Sequence, residues 1–233
     1  PGCVVVTFEP TPEPSTYSPP SPVAADGLDL LLRVVEGVDS AVGLSGVLDA
    51  MVAGLVQALP VDAVLVVADD PVSGELVHSA HGLDQAARPL IAEALFDEVR
   101  RAYRASDSSP LPEHITDAHA LDGAASLRAL YVEQRVRSVC HVPVVTTDGG
   151  VVGGMVTCSR TPRGHDESLC ALLSAAAGHL AHAICRERVQ RLSARAAEFQ
   201  DKLLAVSLAL NAGNDIDQLL ELIAHTALDI VGG

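Results

Sequence analysis

The chain has 233 residues, 48% of them hydrophobic, and a formal net charge of −15 at pH 7. That size and apolar content suffice for a buried core, and one full domain with additional segments is expected. The negative charge repels phosphate backbones and anionic lipids, which argues against nucleic-acid binding and membrane attachment. No uninterrupted apolar run approaches the roughly 20 residues of a membrane helix. Five cysteines without a C-x-x-C pair indicate buried free thiols in a reducing, cytoplasmic compartment.

The N-terminal region is rich in proline. Residues 9–22, EPTPEPSTYSPPSP, lack many backbone donors and offer little apolar surface, so we predict a disordered tail over 1–26. Over 28–59, apolar residues recur at helical spacing around a break at Gly43, and Pro60 ends the pattern. This segment therefore predicts two helices joined by a kink.

The central and C-terminal parts alternate strand-like and helix-like patterns. Helical spacing predicts helices over 84–104 and 124–133, separated by a polar loop at 105–123, and a long helix from 166 to about 211. Apolar runs predict two hairpins, one from 62–69 with 75–79 and one from 138–145 with 151–159. Such an order favours the α+β class, an antiparallel sheet with helices packed on it and then a long connecting helix.

An internal repeat relates the end of the chain to its beginning. At an offset of 172 residues, Leu203 aligns with Leu31 and Val206 with Val34, and apolar residues continue to match. Two unrelated amphipathic helices also align at some register, but a polar kink shared by both copies favours the repeat. The spacing suits tandem globular domains rather than solenoid units. We therefore predict that 200–233 holds the first helices of a second, truncated domain.

Several segments together resemble one family. They are Leu44–Leu48 continuing through Ala63, the strand Val136–Val144, Asp148-Gly149 followed by Val152–Val156, and the Ala-rich helix Leu172–Ile184. This ordered set is similar to GAF domains, small ligand-binding modules of signalling proteins. One departure is Gly164-His165, where the family usually starts its last helix with an aromatic residue. The resemblance implies a GAF-like domain over 27–198, with a connecting signalling helix over 186–211.

The resemblance also implies a function. It points to a non-catalytic sensory or regulatory module of a bacterial signal-transduction protein, with a histidine kinase or a transcriptional regulator as the favoured output. A homodimer through the first and last helices and a small-molecule ligand are expected. Two alternatives stay open: a ligand-free dimerisation scaffold, and an enzyme like the free methionine sulfoxide reductases, in which Cys140 and Cys158 would pair. The pocket residues it suggests are Tyr131, Cys140, Met155 and Thr157.

Residue types that bind metals or chromophores occur at two places in the sequence. His179, His182 and Cys185 lie three residues apart on one predicted helix and are residue types that bind zinc or haem iron. Without a fourth ligand, this spacing favours helix packing or a dimer face, and we expect no metal site. Cys140-His141 is similar to the pair that holds bilin chromophores in light-sensing relatives, but here it lies in a predicted strand. We expect no covalently bound cofactor.

Overall fold

The computed structural model describes residues 22–70, 73–105, 113–120, 125–162 and 167–211. The helices are α1 Pro22–Ser40, α2 Gly43–Ala58, α3 Arg88–Ala105, α4 Ala125–Glu133 and α5 Glu167–Asn211. The strands are β1 Ala63–Asp69, β2 Leu76–His81, β3 Glu113–Ile115, β4 Ser138–Val145 and β5 Val151–Ser159. The predicted α+β class is confirmed, and β4 and β5 have the predicted bounds.

The described strands form one antiparallel sheet in the order β2-β1-β5-β4-β3. Helices α1, α2 and α5 cover one side, which we call the front face, and α3 and α4 cover the other, the back face. Every residue of β1 from Ala63 to Ala68 is therefore buried, alternately in front and behind. This double coverage explains why β1 is a continuous apolar run rather than an alternating one.

Two segments differ from the sequence prediction. Helix α1 begins at Pro22, so residues 22–26, predicted to be disordered, are helical. Proline suits the first helical position because the missing N–H has no intrahelical partner there. The predicted polar loop contains β3 and a 3-10 turn at Ala118–Ala120, where the Ala118 N–H donates to the Arg137 carbonyl at 2.7 Å.

Parts of the predicted organisation lie outside the described residues. The proline-rich tail up to residue 21 is one part, and 212–233, most of the predicted second domain, is the other. The connecting helix is described, because α5 runs unbroken through residue 211. Its first half packs on the front face through Leu173, Leu180 and Ile184, all fully buried.

Candidate functional site

The predicted pocket residues fall on two sides of the sheet. Cys140 and Met155 are buried on the front face. Thr157 lies two residues after Met155, pairs with Cys140 across the β4–β5 ladder and is also fully buried. Tyr131 is buried on the back face, among the side chains of α3 and α4. The structure thus brings three of the four residues together and places the sheet between them and Tyr131.

Tyr131 instead meets a histidine that the sequence had not placed in a pocket. The Tyr131 hydroxyl lies 2.7 Å from Nε2 of His141, and both side chains are buried. His141 follows Cys140 on β4, so its side chain faces the opposite side of the sheet. A polar residue at a back-face position of an apolar strand was the available signal. Buried polar groups in an apolar layer are costly unless paired, so this hydrogen bond fixes both rings.

The end of α4 helps to position Tyr131. Arg135 has a positive φ of 57°, and the Val136 N–H donates to the Tyr131 carbonyl at 2.9 Å. The Arg135 N–H donates to the carbonyl of Val132. These two bonds form a Schellman motif, in which a left-handed residue ends the helix and satisfies its last carbonyls. The chain then enters β4, where the side chain of His141 contacts the Tyr131 hydroxyl.

The cysteines are arranged differently from the expectation. Cys158 lies on the back face and Cys140 on the front face, because Cys158 pairs with Val139 rather than with Cys140. The pairing of Cys140 with Cys158, which only the enzyme alternative required, is therefore not formed. Cys140 instead donates to Cys170, with the two Sγ atoms 3.2 Å apart. Cys170 and Cys185 are half-buried, so only part of the expectation of buried thiols holds.

The thiols on the sheet are held protonated by their surroundings. Burial raises the pKa of Cys158 to about 12, with a smaller contribution from the Asp62 carboxylate. Burial also raises the pKa of Cys140, and the contact with Cys170 raises it further. Both thiols are therefore protonated at neutral pH, and an attack by either sulfur has to release its proton in the same step.

The three candidate metal ligands on α5 do not converge. Nε2 of His179 lies 3.3 Å from the Asp39 carboxylate, whereas His182 is exposed and Cys185 is half-buried. Within the residues that the structure describes, no three His, Cys, Asp or Glu side chains are grouped to hold a metal ion. His179 instead lies beside the Asp39 carboxylate at the end of α1.

Arginines fasten α5 to the body of the domain. Arg186 donates to the Asp39 carboxylate at 2.9 Å, at the C-terminal end of α1. Arg188 donates to the Asp69 carbonyl at 2.8 Å, and Arg191 pairs with the Asp70 carboxylate at 2.9 Å. These bonds fix the helix at the last turns that still contact the domain. Beyond Arg191, nearly every described side chain of α5 is exposed.

The exposed half of α5 carries a regular apolar stripe. Its members alternate three and four residues apart and are all exposed: Val189, Leu192, Ala196, Phe199 and Leu203. We call this set the α5 stripe. Its spacing is the heptad pattern of a coiled-coil seam. In the sequence the same register continues forward at Val206 and Leu210 and back through Cys185 and His182. The periodicity is readable from the sequence alone, as an additional signal for a helix partner.

The comparisons with known proteins identify the fold. A model of the GAF domain family matches residues 43–184, more than half of the chain. The chain belongs to the GAF domain family. The comparison with the curated proteins gave no match.

Solved structures show the same GAF fold. The GAF domain of an Acinetobacter phosphoenolpyruvate-protein phosphotransferase is 22% identical with a TM-score of 0.55, covering 72% of this chain and 96% of that one. A domain of a two-component sensor histidine kinase from Sinorhizobium meliloti is 18% identical at 0.52, covering 66% and 98%. The free methionine-R-sulfoxide reductase of Neisseria meningitidis, in complex with its substrate, is 17% identical at 0.52, covering 76% and 98%. At these identities the likeness concerns the fold.

One helix of this GAF domain is long and apolar enough to cross a membrane by length and composition, from Leu169 to Ala205. Its uncharged part spans only 169–185, and charged residues recur from Arg186 onwards. Leu173, Leu180 and Ile184 in that uncharged part pack against the sheet. The apolar content of this part of α5 is thus accounted for by core packing within the GAF domain.

Proposed function

We propose that this GAF domain is a cytoplasmic regulatory module that dimerises along α5. Conformational changes of the domain are passed through this helix to the polypeptide that follows it. One observation carries the proposal: α5 is at once a core helix of the domain and, beyond it, an exposed heptad helix. A displacement of the packed half must move the exposed half, because the helix is unbroken. Helix shifts of about 1–2 Å at interfaces are an established mode of switching.

A second copy of the same chain is the occupant that best fits the α5 stripe. Arg195 and Lys202 flank the stripe on one side, and Ser193 and Gln200 flank it on the other. In a parallel pair the basic flank of one helix meets the neutral flank of its partner. In an antiparallel pair the two basic flanks would face each other and repel. The charge pattern therefore supports a parallel homodimer.

A small ligand bound by the domain is the second part of the proposal. The structure of the Neisseria meningitidis reductase contains its bound substrate. This supports the proposal that a domain of this fold can hold a small molecule. In this chain the buried Tyr131–His141 pair supplies polar anchors on the back face. Cys140, Met155 and Thr157, the other predicted pocket residues, would bind only a ligand that enters the front face.

The enzyme alternative has less support. It relied on pairing of Cys140 with Cys158, and these residues lie on opposite faces of the sheet. The ligand-free scaffold alternative differs from the sensor in one measurable property. A metabolite that binds the folded domain must raise its melting temperature, so a broad screen without any such shift would favour the scaffold.

The dimer is tested by charging the centre of the α5 stripe. We expect light scattering to give a dimer for the unaltered chain and a monomer for Leu192→Glu, because burying two carboxylates in a seam is costly. Ala194→Glu is the matched control, since Ala194 is exposed on the side of α5 away from the stripe. That variant should remain dimeric. A monomeric unaltered chain at high concentration, or equal loss of dimer in both variants, would contradict the proposal.

A further inference from the structure

The contact between Cys140 and Cys170 has no role in the proposed dimer or ligand site. Cys140 lies within β4, and Cys170 lies in the first turn of α5. Their Sγ atoms are 3.2 Å apart, and the Cys140 thiol donates to the Cys170 sulfur. A disulfide needs a separation of about 2.05 Å, so the two atoms must approach by roughly one ångström to bond. The two sulfur atoms are already in contact across the β4–α5 interface.

The two thiols differ in access to solvent. Cys140 is completely buried, whereas Cys170 is half-buried. A small oxidant dissolved in water therefore reaches Cys170 first. Cys140 lies beside it as a protonated thiol, since burial raises the pKa of Cys140. An accessible cysteine beside a second, resolving cysteine is the arrangement that favours reversible oxidation over further oxidation.

We propose that Cys140 and Cys170 form a peroxide-oxidisable pair that links the start of α5 covalently to β4. The co-reactant is a hydroperoxide. The Cys170 sulfur attacks the terminal peroxide oxygen and the O–O bond breaks. The proton of the Cys170 thiol passes to the leaving oxygen, which departs as alcohol or water, so that Cys170 becomes a sulfenic acid. Cys140 sulfur then attacks Cys170 sulfur. The S–S bond forms, the S–O bond breaks, and the hydroxyl leaves as water with the proton of Cys140.

The linked residues lie at a mechanically relevant place. Cys170 precedes Leu173, the first fully buried residue among the described side chains of α5. Closing the sulfur gap draws this end of α5 towards β4 by about one ångström, comparable to the helix shifts that switch packed interfaces. This effect on the exposed half of α5 rests on the proposed function. The oxidation itself does not, because both cysteines belong to the same chain.

The proposal is tested on the full chain with hydrogen peroxide, followed by alkylation and peptide mapping. We expect loss of two thiols, a peptide link between Cys140 and Cys170, and complete reversal by dithiothreitol. Cys158→Ser is the matched control, because Cys158 lies on the back face and should not affect the link. In Cys140→Ser, Cys170 should stop at a sulfenic acid that dimedone traps.

Three results would overturn the proposal. The first is that both thiols of the unaltered chain still react with the alkylating reagent when the chain is unfolded after peroxide treatment. Another is a link that joins Cys140 to Cys158, or one that joins two chains through Cys185. The third is oxidation of Cys170 beyond the sulfenic acid without any link. All three are read on the unaltered chain, so they hold even where a variant fails to fold, and none depends on dimerisation.

Discussion

Asp39 is the residue at which α1 and α5 are joined. The hydrogen bond from Arg186 lowers the pKa of its carboxyl below the usual 3.8. Desolvation opposes this effect, and the nearby His179 adds a further, individually smaller lowering. A group whose pKa falls on folding stabilises the protein above its unfolded pKa, and that contribution is lost as the pH falls through the folded pKa. The join between the two helices is therefore weakened only in acid.

We predict that Asp39→Asn lowers the free energy of unfolding at about pH 6 and that this difference shrinks towards zero below about pH 3. Denaturant unfolding at both values measures it. In an Arg186→Gln background the same substitution should cost less, because the main partner is already gone. A cost that is equal at both pH values would show that the Asp39 carboxylate does not hold the ion pair.

Side-chain contacts across the sheet were the least predictable feature of the site. Strand alternation assigns Cys140 and His141 to opposite faces, and it could have shown that Cys140 and Cys158 do not meet once the register was known. Register between β4 and β5 depends on the turn that joins them, which the sequence pattern does not define to one residue. Cys170 lies on a helix, and nothing in its spacing relates it to β4.

At the scale of elements, the strongly periodic segments were predictable and the short ones were not. The β4–β5 hairpin was readable because two apolar runs flank a Gly-Gly turn, and Gly149 adopts the positive φ of 87° that such a turn uses. Strand β3 has three residues and pairs only at the sheet edge. Its formation depends on the β4 backbone next to it, so a local pattern gives little sign of it.

The α1–α2 contact gives a prediction at this scale. A Cβ on Gly54 would lie 2.9 Å from Cγ2 and 3.2 Å from Cα of Val34, so the two helices approach as closely as glycine permits. In Gly54→Ala the overpacking costs about 1–3 kcal/mol, because α1 must move away. Helix propensity returns about 1 kcal/mol, so we expect a net destabilisation of up to about 2 kcal/mol.

Gly37 on α1 provides the control, since nothing lies within 4 Å of a Cβ built there. Gly37→Ala should stabilise the domain by about 0.5–1 kcal/mol through helix propensity alone. Urea unfolding compares the two variants directly. If both substitutions stabilised the domain to the same extent, the helices would not be in close contact at Gly54.

At the scale of the whole molecule, α5 connects the GAF domain to the predicted second unit. The 172-residue repeat places the start of that unit at about residue 200, inside the exposed part of the helix. Leu204 and Leu208 are exposed there and lie outside the α5 stripe, so this end of the helix is apolar on more than one side. The second unit itself falls mostly beyond residue 211 and stays a prediction.

The direction of the dimer gives the last prediction. In a parallel, in-register pair, each position of the α5 stripe meets its own copy, which brings two cysteines introduced at Ala196 within the Cα separation of about 5.5–6 Å that suits a disulfide. We expect Ala196→Cys, in a Cys185→Ser background, to form a linked dimer under mild oxidation, seen on a non-reducing gel. Ala194→Cys, exposed on the other side of α5, should link far more slowly. If both positions link equally slowly, the dimer has antiparallel helices or a different interface. The two α5 helices would then not end on the same side of the dimer, and a shift of both helices could not act on one common partner segment.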